Sequence, residues 1–393
     1  MKKLLYSLLL IGTLASCAEE VDPTLQTTRF SRVYDDGIIG DAFAPLDVIE
    51  LADSGFLVLS TLNEQGIHLM KTDKEGRFLW DRPVQTPYAY ALPGLISDGS
   101  DVYFFCMDEV SLQAQLLRVD TSGNNPEPFR SYPDILYPLA AAQTASGSVL
   151  LHSYDRDIRN SRLDHLNSTF MQTWSENYPV LDDVEEAIIG HLTGTGERLP
   201  FFAGERNGGY YFNGFNNYSL SLTFVDAVGA ETGLMSGFRE ESGINAAAYL
   251  ETQGNYALSR FNNDDNYLLP ATGLATGEET LSDEAGGREL PEIDPSKPVK
   301  VLVDDREDGN PATIYAATTR SGRIVLLAYE GGTGNLVGTR YLGNEYAYEL
   351  SAIRTTTLDD GLIIAGTTRV AGRYPRICLF KLNAQDMRDL LGY

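Results

Sequence analysis

The sequence is poor in the residues on which most metal and nucleophilic chemistry depends. Only four of 393 residues are His, three are Cys and two are Trp. His68, His152, His165 and His191 show no ligand spacing such as His-x-x-x-His, which argues against a zinc helix. There is no Gly-x-Ser-x-Gly elbow and no phosphate-cradling glycine loop, so no nucleotide or other cofactor is expected. Basic charge is scarce as well: 30 Lys and Arg stand against 55 Asp and Glu, a net charge of −25. Nucleic acid and anionic headgroups need a basic surface, so nucleic acid is not an expected partner. Sustained helical periodicity is also missing. The N-terminal apolar run from Leu4 to Thr13 is too short to span a bilayer as a stable helix.

What the chain has in quantity is Gly (37), Tyr (22) and Phe (16), in short apolar runs bounded by turns. These runs repeat. "SGFLVLSTLNEQGIHLMKTDKEGRFLW", from Ser54 to Trp80, reads as strand, turn, strand, turn, strand. "DVYFFCM" with "AQLLRVDTSG" restates it, as do "SVLLHSYD" with "SRLDHLN" and "GGYYFNGF" with "LSLTFVDAVG". "NYALSRF" with "NYLLPAT", "TIYAATT" with "IVLLAYEGG", and "LIIAGTT" with "RICLFKLN" complete seven units. Asp73/Gly76, Asp120/Gly123 and Asp226/Gly229 share an Asp-x-x-Gly step. Asp caps such a turn and Gly takes its left-handed position, closing a hairpin with a bulge. Asn167, Glu330 and Asn383 hold the place in weaker copies.

A further apolar run precedes each hairpin, rich in Ala at 140–142 and 246–248, where strands crowded at an axis need small side chains. Four strands per unit and a period of about fifty residues predict an all-β, seven-bladed propeller of four-stranded antiparallel sheets. The seventh unit stops near Asn383, and "RFSRVYDDG" (29–37) reads as an outer strand without its inner three. The N-terminal strand is therefore expected to close the ring, with "DMRDLLGY" as its competitor. The units resemble the degenerate propeller repeats of bacterial secreted proteins over residues 28–393, a resemblance that implies a fold and names no activity.

Lys2 and Lys3, the apolar run and Leu14-Ala15-Ser16-Cys17 resemble the signal peptide and lipobox of bacterial lipoproteins. That resemblance implies removal of residues 1–16, lipidation of Cys17, and a tether over 17–27. The membrane would then be reached through the lipid anchor alone. Ala18-Glu19-Glu20 resembles a surface-export signal, so the expected location is the outer membrane, facing the cell surface, with the periplasmic face as alternative. Cys106 and Cys378 lie in strand-like runs and read as buried free thiols.

Two stretches exceed the repeat. Residues 175–198 include "DDVEEAIIGHL", which fits one short helix. Residues 273–298 are acidic and Gly-rich, and are expected to be a mobile surface loop without a buried face. Asp264, Asp265 and the acids of 303–308 lack fixed ligand spacing and read as solvated turns.

Aromatics recur just before the inner strands. Phe43, Tyr88, Tyr90, Tyr137 and Tyr348 are the expected ligand-binding set at one mouth of the channel, with Arg354 as a charged contact; their alternative role is to seal blade against blade. The expected function is a non-enzymatic binding or scaffold module with a monomeric body, for a glycan or an outer-membrane protein partner. The alternative is a propeller hydrolase or lyase acting on polysaccharide, needing converging carboxylates or a His with a Tyr.

Overall fold

The computed structural model describes residues 28–35, 40–180, 182–196, 198–239, 241–304, 311–370 and 374–392. They form seven sheets arranged as the blades of a β-propeller. The first blade runs Phe43–Glu50, Phe56–Leu62, Gly66–Thr72 and Phe78–Val84 from inside to outside. The third spans Pro138–Gln143 to Gln172–Pro179, and the fourth Ala203–Arg206 to Glu231–Ser236. The fifth spans Ser242–Leu250 to Arg288–Glu289, and the sixth Lys300–Asp304 to Leu336–Leu342. In the second blade the inner strand is broken into Tyr88–Ala89 and Ile96–Ser97, both paired with Val102–Asp108.

Middle strands are covered on both faces by neighbouring blades, so they are continuously apolar. Every residue of Ala312–Thr318 is buried. The core is a series of inter-blade layers; Ile314 and Leu326 of the sixth blade pack with Leu350, Ile364 and Phe380 of the seventh.

The seventh blade, Tyr348–Thr356, Gly361–Thr368 and Arg376–Leu382, takes its outer strand from the N-terminal side of the chain. Phe30–Tyr34 runs antiparallel to Arg376–Leu382, with Phe30 opposite Lys381 and Tyr34 opposite Ile377. The C-terminal residues do not compete. Asn383 caps helix α2 (Ala384–Leu391), accepting from the Asp386 amide, instead of closing a hairpin. Met387, Leu390 and Leu391 bury the helix against the sixth and seventh blades.

The Asp-x-x-Gly turns do more than close hairpins. Asp73 Oδ1 accepts from the amides of Glu75 and Arg77 at 2.9 and 2.8 Å, and Asp226 Oδ1 holds Val228 and Ala230 the same way. Each turn glycine is then covered by an aromatic ring on the outer strand of the preceding blade. A Cβ on Gly76 would meet Phe30, one on Gly123 would meet Trp80, and one on Gly229 would meet Trp174. The glycine carbonyl also accepts across the interface: Tyr34 donates to Gly76 O at 2.8 Å, Arg82 to Gly123 O at 2.8 Å, and Tyr178 to Gly229 O at 2.6 Å. In the third blade Phe170 takes the left-handed place at φ +61°, and Tyr132 donates to its carbonyl at 2.9 Å. The closing strand is thus one instance of a latch used around the ring.

Residues 273–298 are built into the fold, contrary to the sequence expectation of a mobile loop. Glu279–Leu281 pairs in parallel with Glu231–Ser236, and Arg288–Glu289 supplies the outer strand of the fifth blade. Leu290 and Ile293 are buried. The acidic composition hides this role because few apolar side chains turn inward, Leu290 and Ile293 fully and Leu274 and Ala285 in part. The stretch 175–198 does contain the expected helix, α1 (Glu185–Thr193).

Candidate functional site

The inner strands of the blades line a channel, and the loops that enter them form one of its mouths. The chain meets the same requirement at each entry: the amide of Tyr90 donates to Gln65 O, that of Tyr137 to Leu112 O, and that of Tyr348 to Gly322 O. Phe43, Tyr137 and Tyr348 are only 6, 6 and 7% exposed. Phe43 lies on the His68 ring with centroids 4.7 Å apart, and Tyr348 lies edge-on to Phe380 at 5.3 Å. Tyr137 packs with Met107, Leu139 and Ile188. Tyr88 is half-buried against the layer between the first and second blades. Of the expected set, Tyr90 lines the cavity at the mouth, while Phe43 borders the groove beside it. Cys17 lies outside the described residues.

Arg354 projects into the channel below the mouth and is engaged by the protein itself. Its Nε donates to Asp47 Oδ1 at 3.1 Å and its Nη2 to Leu95 O at 2.9 Å. Asp47 in turn accepts from the amides of Leu95 (2.7 Å) and Gly94 (3.2 Å), joining the seventh, first and second blades. Gly94 is required here: at φ +120°, a Cβ would stand 2.3 Å from Ala141 O. Ala140, Ala141 and Ala142 line this part of the channel, as their crowding predicts.

The cavity at the mouth holds about 260 Å³ and opens beneath α1 and the loop after it. Its walls carry Tyr90, His191, Arg198, Lys300, Glu64 and Glu349, with hydroxyls from Thr61, Ser351 and Thr367. The 175–198 stretch supplies two of these groups, a contribution invisible while it reads as a mere excess over the repeat. His191 Nδ1 accepts from the Leu199 amide at 2.9 Å. Burial, with Arg198 and Lys300 adding, pushes the His191 pKa down to about 3. The ring is therefore neutral and, with Nδ1 engaged as an acceptor, carries its proton on Nε2. It is a hydrogen-bond donor rather than a free base. Arg198 reaches Thr61 Oγ1 at 3.3 Å. Surrounding protein lowers its pKa, with Glu349 and Glu64 acting in the opposite sense. Glu349 also pairs with Lys297 at 3.0 Å. Lys300 stands where the mouth cavity meets the deeper channel, and burial lowers its pKa against the pull of Asp47. Burial, with Glu109 adding, raises the pKa of the Tyr90 phenol.

One constellation away from the mouth has the order of a catalytic triad. Ser60 Oγ lies 3.1 Å from His68 Nδ1, and His68 Nε2 lies 3.2 Å from Asp81 Oδ2. Ser60 is 0% exposed and sealed in the first blade, so no substrate carbonyl can reach it; the chain of bonds ties three adjacent strands. His152 is wholly buried, packs on Phe201 and Phe212 and makes no hydrogen bond among the described residues, and its pKa is driven down to about 3 by burial. Cys106 and Cys378 are buried free thiols whose pKa values burial pushes up. Among the described residues no group of three or more His, Cys, Asp or Glu converges to hold a metal ion.

No family model and no curated protein sequence matches this chain. Solved structures do resemble it in fold. YCF48 from Cyanidioschyzon merolae is 10% identical with a TM-score of 0.50, covering 89% of this chain and 98% of that one. The polysaccharide lyase Uly1 is 10% identical with a TM-score of 0.50, covering 94% of each chain. The SapL1 lectin, solved with alpha methyl fucoside, is 11% identical with a TM-score of 0.41, covering 85% and 94%.

Proposed function

We propose that this protein is a binding module, anchored through lipid at Cys17 to the outer membrane and facing outward, whose ligand is a glycan entering the channel mouth beside Tyr90. The observation that carries the reading is the mixed lining of that mouth: a tyrosine face, three hydroxyls and several charged groups in one cavity of about 260 Å³. Sugar rings offer apolar faces to an aromatic and hydroxyls to such donors and acceptors. The disposition of the reactive side chains favours recognition over turnover. His191 has its Nδ1 lone pair engaged, and Glu349 is held by Lys297 at 3.0 Å. The body is proposed to act as a monomer.

A glycan array probed with the full chain tests the reading. At least one saccharide class should bind, and Tyr90→Ala should weaken that binding while preserving the unfolding midpoint. Silence across the array would reject sugar recognition and leave an outer-membrane protein partner as the ligand class. A second reading, a polysaccharide hydrolase or lyase, is favoured by one feature: Glu64 and Glu349 line the same cavity. Polysaccharide of the bound class, incubated with the chain, should release no new reducing ends or unsaturated uronates. Release that is lost in Glu349→Gln would establish the enzyme instead.

A further inference from the structure

Positive charge is scarce in this chain, with 30 basic against 55 acidic residues, yet three cations, Arg198, Lys300 and Arg369, line one mouth cavity. Lys300 is the informative member. Among the described residues its ammonium makes no hydrogen bond and no ion pair, although it stands in the channel between inner strands and α1. Asp47, the carboxylate that acts on it, is taken by Arg354 through two bonds. Lys300 is half-buried, and the surrounding protein opposes its charge, so an anion entering the open cavity would find a cation with no competing partner among the described residues. Arg198 stands on the same cavity with one long bond to Thr61 Oγ1. The proton on His191 Nε2 adds a neutral donor close to both, since each of these cations acts on the imidazole. Three donors of this kind around an open cavity form an oxyanion receptor.

Resting on the reading of the mouth as a saccharide site, we infer that Lys300 and Arg198 together receive an oxyanion, a carboxylate or a sulfate ester, carried by the bound saccharide. A saccharide fits better than an acidic peptide. Besides Arg369, the remaining polar lining consists of side-chain hydroxyls and of the acceptors Glu64 and Glu349, which suit a ligand dense in hydroxyl groups.

Calorimetric titration of the full chain separates the possibilities with three probes: a galacturonate tetrasaccharide, its methyl ester, and a sulfated galactose tetrasaccharide. Either acidic probe should bind roughly ten- to a hundredfold more tightly than the ester, the scale of one hydrogen bond to a charged group. The tighter acidic probe identifies the oxyanion. Lys300→Met should abolish that preference while Lys300→Arg retains it. Because Lys300 makes no hydrogen bond or ion pair among the described residues, Lys300→Met should also unfold at the same or a higher temperature, an effect that a merely structural lysine would not give. Equal binding of acid and ester, or a preference that survives Lys300→Met and Arg198→Gln, would overturn the oxyanion inference and leave the glycan reading standing. Failure of all three probes to bind, with another saccharide class bound on the array, would overturn the oxyanion inference alone; failure of the three together with a silent array would overturn both.

Discussion

Replacing Gly76 by alanine should destabilise the ring more than the same change at an open turn. Gly76 sits at φ +70°, and a Cβ there would lie 2.6 Å from Phe30 Cε2. The left-handed backbone costs an L-residue about 1 kcal/mol or somewhat more. Overpacking against the ring adds about 1–3 kcal/mol. Phe30 has little freedom to yield, because its backbone pairs with Lys381 and its ring lies edge-on to Phe56 at 5.9 Å. The total is about 2–4 kcal/mol. Gly208 provides the reference. It has φ +77° with nothing within 4 Å of a built Cβ, so Gly208→Ala should cost only the backbone term, about 1 kcal/mol. Guanidinium unfolding followed by tryptophan fluorescence and far-ultraviolet circular dichroism gives both values. Repeating the pair in a Phe30→Ala background should remove the excess at Gly76, a coupling of about 1–3 kcal/mol in a double-mutant cycle. Equal costs at the two glycines, or an excess that survives loss of the ring, would refute the latch between the closing strand and the first blade.

Acid should weaken the fold in part through His152. Its folded pKa is about 3 against an ordinary 6.5, so between those values the unfolded chain binds a proton that the folded chain refuses. That contribution is complete above about pH 6.5 and is lost as pH falls toward 3, at about 1.4 kcal/mol per pH unit. His152→Leu should flatten the stability–pH curve by that slope; an unchanged curve would contradict neutral burial. At the centre of the channel, Asp47→Ala should destabilise more than Arg354→Met. Asp47 is 5% exposed and also holds three backbone amides, those of Val48, Gly94 and Leu95. A loss of about 3 kcal/mol is expected for the former and less for the part-exposed arginine, read as shifts in the guanidinium midpoint.

Much of the architecture was legible because propeller blades solve one packing problem repeatedly. "AATTR" and "AGTTR" fall in the second strands of adjacent blades, and Asp73, Asp120 and Asp226 cap equivalent turns. The fifth blade was harder to read. Its outer strand is the two-residue Arg288–Glu289, too short and too polar for a period-two pattern, and the segment leading to it resembles a loop by composition. Asn383 matched the hairpin spacing but serves α2, because a capping residue has the same chemistry in either setting. The site was less legible. Tyr90 was identifiable from its place before an inner strand, but the identical argument pointed to Tyr137 and Tyr348, which packing absorbs. His191, Arg198 and Lys300 carry no motif; they meet only because α1 and the loop after it fold over the channel.

By itself the amino-acid order determined the number of blades, the strand count within them and the ring closure by residues near Phe30. Each of these follows from local rules of alternation, turn chemistry and edge protection that a linear chain states explicitly. Only the tertiary structure decided which side chains face the mouth and which cations lack partners there. That choice depends on the rotation of one blade against the next and on what α1 covers, and neither leaves a periodic trace in the sequence.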